Sequence, residues 1–231
     1  MNNICFIPAR NSSTRLKNKN IASFRNGNLI TNTIDQAIES NIFDTIFLSS
    51  NDLSILDIAK KYNHPNVCTH YRNDKEDQLL GVVRQAIPDL GIRADDTVCL
   101  LLVTCPLRSV DDIIGAHIVF EDVDRGHTVV SVKKNLNPVQ MAFKVDVGGH
   151  LEPVFPDEFY RSTRKQDHID TFYYNDAIIF DKAGEFMDYD RPNLYGKMPI
   201  PYLMPPERSI AIDYEFQLKM ARYFGEDDGK I

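Results

Sequence analysis

The sequence contains no tryptophan and only 11 glycines, and none of these glycines precedes Gly27. The lack of glycine near the N-terminus excludes a Walker A loop or a G-x-G-x-x-G loop after the first apolar run, because both need glycine close to phosphate. The four cysteines include no C-x-x-C pair. We therefore expect reduced, mostly buried thiols rather than disulfides or a cysteine metal site.

Long apolar runs and an N-terminal signal are also lacking. No stretch approaches the roughly 20 apolar residues that a membrane span requires. The opening MNNICFIPAR has no basic region before its short apolar run, unlike a signal peptide. These features predict a cytoplasmic protein without a membrane partner. The net charge of −7 argues against general nucleic-acid binding.

Acidic residues do not occur before Asp35, although the chain holds 33 of them. The basic stretch IPARNSSTRLKNKNI, residues 7–21, begins at the last residue of the apolar run ICFI. A local basic pole on an acidic body predicts a small anionic ligand.

The 231 residues, 43% of them apolar, suit one α/β domain with a small appendage. Apolar runs alternate with amphipathic segments as far as residue 132, which predicts a doubly wound, mostly parallel sheet with right-handed crossovers. The predicted strands span 4–7, 45–49, 66–69, 97–104, 127–132, 175–180 and 209–212. The predicted helices span 29–40, 53–62, 78–87, 110–120 and 213–224.

Ligands of doubly wound sheets bind outside the carboxyl ends of the strands, so the loop after the first strand is a favoured binding position. Arg10, Arg15 and Lys19 in this loop can converge on one polyanion, with hydroxyl and backbone N–H donors beside them. A solvated basic loop is the alternative interpretation.

The basic stretch resembles the N-terminal signature of the sugar-activating cytidylyltransferases, which join CMP to nonulosonic acids (sialic, legionaminic and pseudaminic acids) or to Kdo. The residues that match the signature are Ile7, Pro8, Ala9, Arg10, Ser13, Arg15, Leu16, Lys19 and Asn20. Asn11-Ser12 replaces the frequent glycine pair, Thr14 replaces lysine, and Lys17 replaces proline.

The resemblance continues over nearly the whole chain. VTCPLR at 103–108 is similar to the family's P-T-S-P-L-R element, and NDA at 175–177 stands where the family often has N-G-A. SIAID at 209–213 matches S-I-D-I-D except at Ala211, and residues 137–156 and 164–167 most resemble the pseudaminic acid branch. Leu102 replaces a glutamine that some sialic acid enzymes place near the sugar.

The resemblance implies a Rossmann-like nucleotidyltransferase that transfers CMP from CTP to the anomeric hydroxyl of a nonulosonic acid, releasing pyrophosphate. We expect pseudaminic acid as the substrate, with N-acetylneuraminic acid, legionaminic acid and Kdo as alternatives. Ala211 keeps a non-catalytic nucleotide-binding homologue open as another alternative. A glycosyltransferase would need a metal-binding D-x-D motif, and Asp122-Val123-Asp124 is predicted to end a helix instead.

The alternation of strands and helices is interrupted between residues 135 and 170, and this interruption divides the chain into domains. Residues 1–134 and 171–225 would form the nucleotide-binding α/β domain, and 226–231 a tail. Residues 135–170 are rich in proline, aromatic and charged residues. We expect them to form a protruding dimerisation and substrate arm, with a long surface loop as the alternative.

The resemblance also implies a role for each candidate site residue. Arg10 and Lys19 would act in catalysis by holding phosphate, and Asp213 would bind Mg²⁺. The residues expected to contact the nucleotide are Ala9, Arg10, Ser13, Arg15, Lys19, Asn20 and Arg72, and those expected to contact the sugar acid are Gln140, Arg164 and Asn175. Asp213 could instead cap the last helix. Ala211 replaces the first aspartate of the family's acidic pair, so the alternatives are weaker metal binding or a metal held elsewhere, by Asp52 or Asp176.

Overall fold

A seven-stranded sheet forms the centre of the computed structural model, which describes residues 1–10, 15–73, 78–162 and 164–226. The strands are β1 Asn3–Pro8, β2 Ser23–Phe24, β3 Gly27–Asn28, β4 Thr45–Ser50, β5 Val67–Tyr71, β6 Thr97–Leu101, β7 Val129–Lys134, β8 Phe143–Val145, β9 Leu151–Pro153, β10 Phe172–Lys182 and β11 Ile200–Leu203. The helices are α1 Leu29–Ser40, α2 Leu53–Lys60, α3 Leu79–Asp89, α4 Val110–Asp122, α5 Pro156–Arg161, α6 Ala183–Met187 and α7 Glu215–Glu226.

The central sheet has the strand order β11-β7-β10-β6-β1-β4-β5. β1 pairs in parallel with β4 on one side and with β6 on the other, and β10 is the antiparallel member. The chain therefore winds outward in two directions from β1, and the switch point lies between the carboxyl ends of β1 and β6. Ligands of such sheets bind at this point.

Two apolar layers cover the sheet. One layer joins β1 and β4 to α1, α2, α4 and α7, with Ile7, Ile34 and Leu218 among its buried side chains. The other joins β1 and β6 to α3 and α6, with Phe6 and Val83 among its members. Helices on both faces confirm the predicted doubly wound α/β class and explain why β1 and β6 read as continuous apolar runs.

Local sequence signals account for the helix boundaries that were predicted correctly. α1 begins in a capping box in which Asn28 and Thr31 exchange side-chain and backbone hydrogen bonds, and it ends at Asn41 in the left-handed conformation. Asp52 caps α2 by accepting a 2.8 Å hydrogen bond from the Ser54 N–H. Asparagine and aspartate favour N-cap positions, and asparagine also tolerates the left-handed conformation after a helix end.

One predicted strand near the C-terminus was wrong. No strand forms at 209–212, and the last strand of the sheet is instead β11, which the prolines around it conceal. Ser209 turns its hydroxyl back to the carbonyl of Pro205, and the Ile212 N–H donates to Thr104 O outside any ladder. β6 also ends at Leu101, before the bend that precedes Pro106.

The segment 135–170 contains more structure than its sequence indicated. The short strands β8 and β9 pair as an antiparallel hairpin, and the one-and-a-half-turn helix α5 follows. This hairpin leaves Val145 and Leu151, which face each other across its two strands, 67% exposed each. The role of this segment in dimerisation remains a prediction.

Two sequence predictions concern membranes and thiols. No helix in the described part of the chain is both long enough and apolar enough to cross a membrane. All four cysteines are free thiols, and Cys5, Cys99 and Cys105 are buried, as predicted. Burial raises the pKa of each buried thiol, to about 12 for Cys105, so these thiols are protonated at neutral pH.

Candidate active site

The loop after β1 is fixed at both ends by hydrogen bonds. The Ala9 N–H donates to Ser49 O at 2.9 Å, which extends the β1–β4 pairing by one residue. The Asn20 side chain donates to the carbonyl of Arg10 at 2.7 Å. Asn20 lies in a single 3₁₀ turn, Lys19–Ile21, which precedes β2. Asn20 and Ala9 therefore shape the loop through the backbone, while Ser13 lies outside the described residues.

Two cations of this loop meet one carboxylate from the C-terminal part of the chain. Lys19 Nζ lies 3.0 Å from Asp213 Oδ1, and Arg15 Nη1 lies 3.2 Å from Asp213 Oδ2. The Arg15 guanidinium also lies over the ring of Tyr214, 5.7 Å from its centroid. Lys19 is the more enclosed cation, with 15% of its side chain exposed against 56% for Arg15. The candidate residues Arg15, Lys19 and Asp213 thus form one cluster.

Asp213 is not the cap of α7, which was the alternative interpretation of its position. The side-chain oxygen of Gln217 accepts hydrogen bonds from the N–H groups of Asp213 and Tyr214, both at 2.8 Å. Gln217 thereby supplies half of a capping box from the third helical position. The Asp213 carboxylate remains available to face the loop after β1.

The 102–108 loop after β6 holds the segment that carries Asp213. The Ile212 N–H donates to Thr104 O at 2.8 Å, which places the 209–213 segment beside this loop. Arg208 makes two 2.9 Å hydrogen bonds to the carboxylate of Asp112 in the first turn of α4. Bidentate pairing of this kind fixes orientation as well as distance.

A fully buried guanidinium organises the 102–108 loop from within. Arg108 Nη1 donates to the carbonyl oxygens of Leu102, Cys105 and Ala177. Burial lowers the pKa of Arg108, and the surrounding thiols and Asp112 oppose that change. The loop therefore has a rigid internal support, as a binding loop at the switch point requires.

Arg72, which is predicted to contact the nucleotide, lies at the carboxyl end of the sheet. Its N–H donates to Ser50 O at 3.1 Å directly after β5, and its side chain is buried. His70 is also buried, and its Nδ1 lies 3.0 Å from the hydroxyl of Ser49. Burial lowers the pKa of His70, while Asp89 raises it and Arg72 lowers it further.

The three predicted sugar contacts lie in different surroundings. Asn175 is buried, and its side chain bonds to Ser131, Ser209 and the Ala177 N–H. Its amide therefore joins β7, β10 and the 205–209 turn, and its contact with the sugar stays a prediction. Gln140 is buried in its own segment, and Arg164 is exposed, 4.0 Å from Asp167.

Two further polar groups at this edge were not predicted from the sequence to contact the sugar. Lys133 Nζ donates to Ser209 O at 3.3 Å. Asp176 occupies the left-handed region, with φ 56°, and accepts a 2.7 Å hydrogen bond from the Tyr195 hydroxyl. Periodicity cannot reveal such positions, because irregularities in a strand depend on its partners.

The donor set fits a magnesium ion that takes most of its ligands from phosphate and water. Mg²⁺ sites of this kind use one or two carboxylates from the protein, and Asp213 offers one at the cluster. The described residues contain no group of three or more histidine, cysteine or acidic side chains placed to hold a metal. Asp52 acts as a helix cap, and Asp176 bonds to Tyr195.

Comparisons of the sequence with known proteins identify its relatives. The family model described as cytidylyltransferase matches residues 4–113. The chain is 30% identical over 194 residues to pseudaminic acid cytidylyltransferase of Campylobacter jejuni, covering 82% of each protein. It is 26% identical over 221 residues to N-acylneuraminate cytidylyltransferase of Escherichia coli, covering 94% of this chain and 51% of that protein.

The fold is shared with solved nucleotidyltransferase structures. One is a CMP:2-keto-3-deoxy-manno-octonic acid synthetase complexed with CTP, with a TM-score of 0.71 and 11% sequence identity, covering 99% of this chain and all of that one. Another is 2-C-methyl-D-erythritol 4-phosphate cytidylyltransferase of Francisella tularensis, with a TM-score of 0.67 and 16% identity, covering 97% and 100%.

Proposed function

The chain belongs to the cytidylyltransferase family, and on that premise we propose that it transfers CMP from CTP to pseudaminic acid. In this reaction the anomeric oxygen of the sugar bonds to the α-phosphorus, and the bond from that phosphorus to the pyrophosphate oxygen breaks. The observation that carries the proposal is the convergence of Lys19 and Arg15 at the switch point of the sheet.

The cations match the charge that this reaction develops. Negative charge grows on the α-phosphate and on the departing pyrophosphate, and fixed cations stabilise both. Lys19 is a compact point charge in an enclosed position, which suits the α-phosphate. Arg15 and Arg10 offer planar guanidinium groups that suit the β- and γ-phosphates. Arg72, at the end of β5, would face the cytidine.

Asp213 is the residue we assign to Mg²⁺. When bound, the ion would neutralise phosphate charge and fix the geometry of the triphosphate. Asp213 lies between Lys19 and Arg15, so an ion held by its carboxylate would be close to the phosphates that these two cations bind. Ala211 removes the second carboxylate of the related motif, which leaves Asp213 as the main protein ligand.

We further propose that the enzyme is a cytoplasmic homodimer in which the 135–170 arm covers a second subunit. Beyond Val145 and Leu151, the exposed apolar side chains of this region are Leu136, Phe143, Val147, Val154, Phe155, Tyr160 and Ile169. A surface of this kind is typical of an interface. Arg164, exposed on the same arm, could then engage the carboxylate of the sugar acid bound by the partner. The free buried thiols accord with a reducing compartment.

Pyrophosphate release tests the proposal. The protein is incubated with CTP, Mg²⁺ and, in separate reactions, pseudaminic, legionaminic and N-acetylneuraminic acids and Kdo. We expect release with pseudaminic acid, at a kcat/KM above that of the other three. Release with another sugar alone would correct the substrate and keep the reaction.

The second candidate, a non-catalytic nucleotide-binding homologue, rests on Ala211. It predicts that CTP binds, measured by calorimetry, while no sugar acid causes pyrophosphate release. Restoration of activity by Ala211→Asp would then identify the missing metal ligand as the cause. Absence of both CTP binding and release would overturn the proposed function.

A further inference from the structure

β10 contains an irregularity at the carboxyl edge of the sheet. Tyr174 pairs with Val132 of β7 and Ile179 pairs with Val130, so the register shifts and β10 has extra residues between these two pairs. Asp176 lies inside this bulge with φ 56°. Glycine adopts that conformation freely, whereas a residue with a side chain does so at a cost. Strained residues of this kind cluster at binding sites.

The bulge is next to the candidate active site. Ile178 pairs with Leu101, the last residue of β6, so Asp176 lies beside the 102–108 loop. The Cys105 thiol donates to Asn175 O at 2.8 Å and fixes the bulge to that loop. Asp213 adjoins the same loop through Ile212 and Thr104. Asp176 and Asp213 therefore both border the 102–108 loop.

The Asp176 carboxylate is oriented by one partner and keeps an open acceptor. The Tyr195 hydroxyl donates to Asp176 Oδ1 at 2.7 Å, and the Tyr195 ring stacks on Tyr174 with centroids 3.8 Å apart. Burial, and then the hydrogen bond to Asp176, raise the pKa of Tyr195, so its hydroxyl stays a donor. Asp176 Oδ2 makes no hydrogen bond to any described residue, and the side chain is partly exposed.

We propose that Asp176, oriented by Tyr195, binds the sugar acid by accepting hydrogen bonds from its hydroxyl or acylamino N–H groups. This inference rests on the proposed function and adds a residue that discriminates among its substrates. A carboxylate accepts but does not donate, so it selects sugars that present donors at this position. It also repels the carboxylate of the substrate, which fixes the orientation of the sugar in the cleft.

The test compares Asp176→Gly and Asp176→Asn with the wild-type enzyme. We expect Asp176→Gly to raise the KM for the sugar acid by about 10-fold or more, as expected for loss of a hydrogen bond to a charged group. The KM for CTP should stay within about twofold, because the nucleotide end lies at β1 and β5. Asp176→Asn should have a smaller effect, since asparagine retains one acceptor and tolerates the left-handed region.

Asp124→Gly is the matched control. Asp124 has a nearly identical φ of 52°, but it follows α4 at the opposite edge of the sheet and is exposed. It therefore reports the effect of relieving the same backbone conformation without touching the cleft. Both kinetic constants should be unchanged in this variant. Circular dichroism confirms that each variant is folded.

The outcomes separate this inference from the proposed function. An unchanged sugar KM in folded Asp176→Gly and Asp176→Asn would overturn the role of Asp176 while leaving the reaction intact. If the wild type releases no pyrophosphate, calorimetry with CTP and the sugar acid replaces kinetics. Weaker sugar binding in Asp176→Gly would then support the inference, and equal binding or none in the wild type would overturn it.

Discussion

Lys19 and Asp213 are 194 positions apart in the sequence, and Lys19 Nζ donates a 3.0 Å hydrogen bond to Asp213 Oδ1. This contact closes the candidate site, because it joins the loop after the first strand to the segment before the last helix. Arg15 pairs with the other oxygen of the same carboxylate. Substitutions on each side of the contact test separate parts of the proposed reaction.

The first prediction concerns Lys19. Lys19→Met should lower kcat/KM for pyrophosphate release by about 100- to 1,000-fold, since loss of a group that stabilises developing charge costs about 3–4 kcal/mol. Lys60→Met is the matched control, because Lys60 is an exposed lysine at the far end of α2 that pairs with Asp57. Equal kcat/KM values in wild type and Lys19→Met would remove Lys19 from the chemistry.

The second prediction concerns the missing carboxylate. Ile212 is buried and its neighbours Ala211 and Asp213 are partly exposed, so we expect a carboxylate at 211 to reach solvent near Asp213. Ala211→Asp should lower the Mg²⁺ concentration for half-maximal pyrophosphate release, because two carboxylates bind the ion more tightly than one. Ala211→Asn adds similar volume without charge and should leave the midpoint unchanged. A midpoint that the aspartate does not lower would place the metal elsewhere.

The third prediction concerns the support of the 209–213 segment. Arg208→Gln should lower the free energy of unfolding by about 2 kcal/mol, because the carboxylate of Asp112, 1% exposed, loses its bidentate partner. Chemical denaturation measures this loss. Lys144→Gln removes a cation from an exposed pair with Glu152 and should change stability by less than about 1 kcal/mol. Similar losses of unfolding free energy in both variants would show that the Arg208–Asp112 pair stabilises the protein no more than an exposed pair does.

The fourth prediction concerns pH. Burial holds the pKa of His70 below its usual value of 6.5, and Asp89 offsets this only in part. The unfolded chain therefore binds a proton below pH 6.5 that the folded chain takes up only at lower pH, so stability should fall as pH drops below 6.5. His117 has a pKa lowered by burial in the same way and adds to the slope.

His70→Gln isolates the contribution of His70 to that slope. Denaturation at a series of pH values between 7.5 and about 5 should show a shallower loss of stability in this variant than in the wild type. His150→Gln is the control, because that histidine is exposed near Asp146. Parallel pH profiles for wild type and His70→Gln would contradict the assignment.

The fifth prediction concerns the arm. Val145→Glu combined with Leu151→Glu should convert a dimer into a monomer, because the two side chains face each other on the exposed hairpin and like charges cannot be buried there. Light scattering measures the change. Lys144→Glu on the same strand is the control for added negative charge. An unchanged mass in the double variant would exclude this hairpin from the interface.

Local patterns were enough to predict much of the fold. α1 spans Leu29–Ser40 as its apolar spacing predicted, and β1 and β6 appear where continuous apolar runs occur. The basic loop after β1 was located because its residues are contiguous. These features depend on neighbours a few positions away, so the sequence alone contains them.

The sequence by itself determined the alternation of strands and helices, the position of the basic loop after β1 and the family. Only the tertiary structure decided that Asp213 faces Lys19 while Gln217 caps α7, and that Asn175 is buried in a network while Asp176 lies in a bulge of β10 with a positive φ. The physical reason is that a hydrogen-bond partner or a bulge depends on strands brought together from distant parts of the chain. Spacing along one segment cannot specify those contacts.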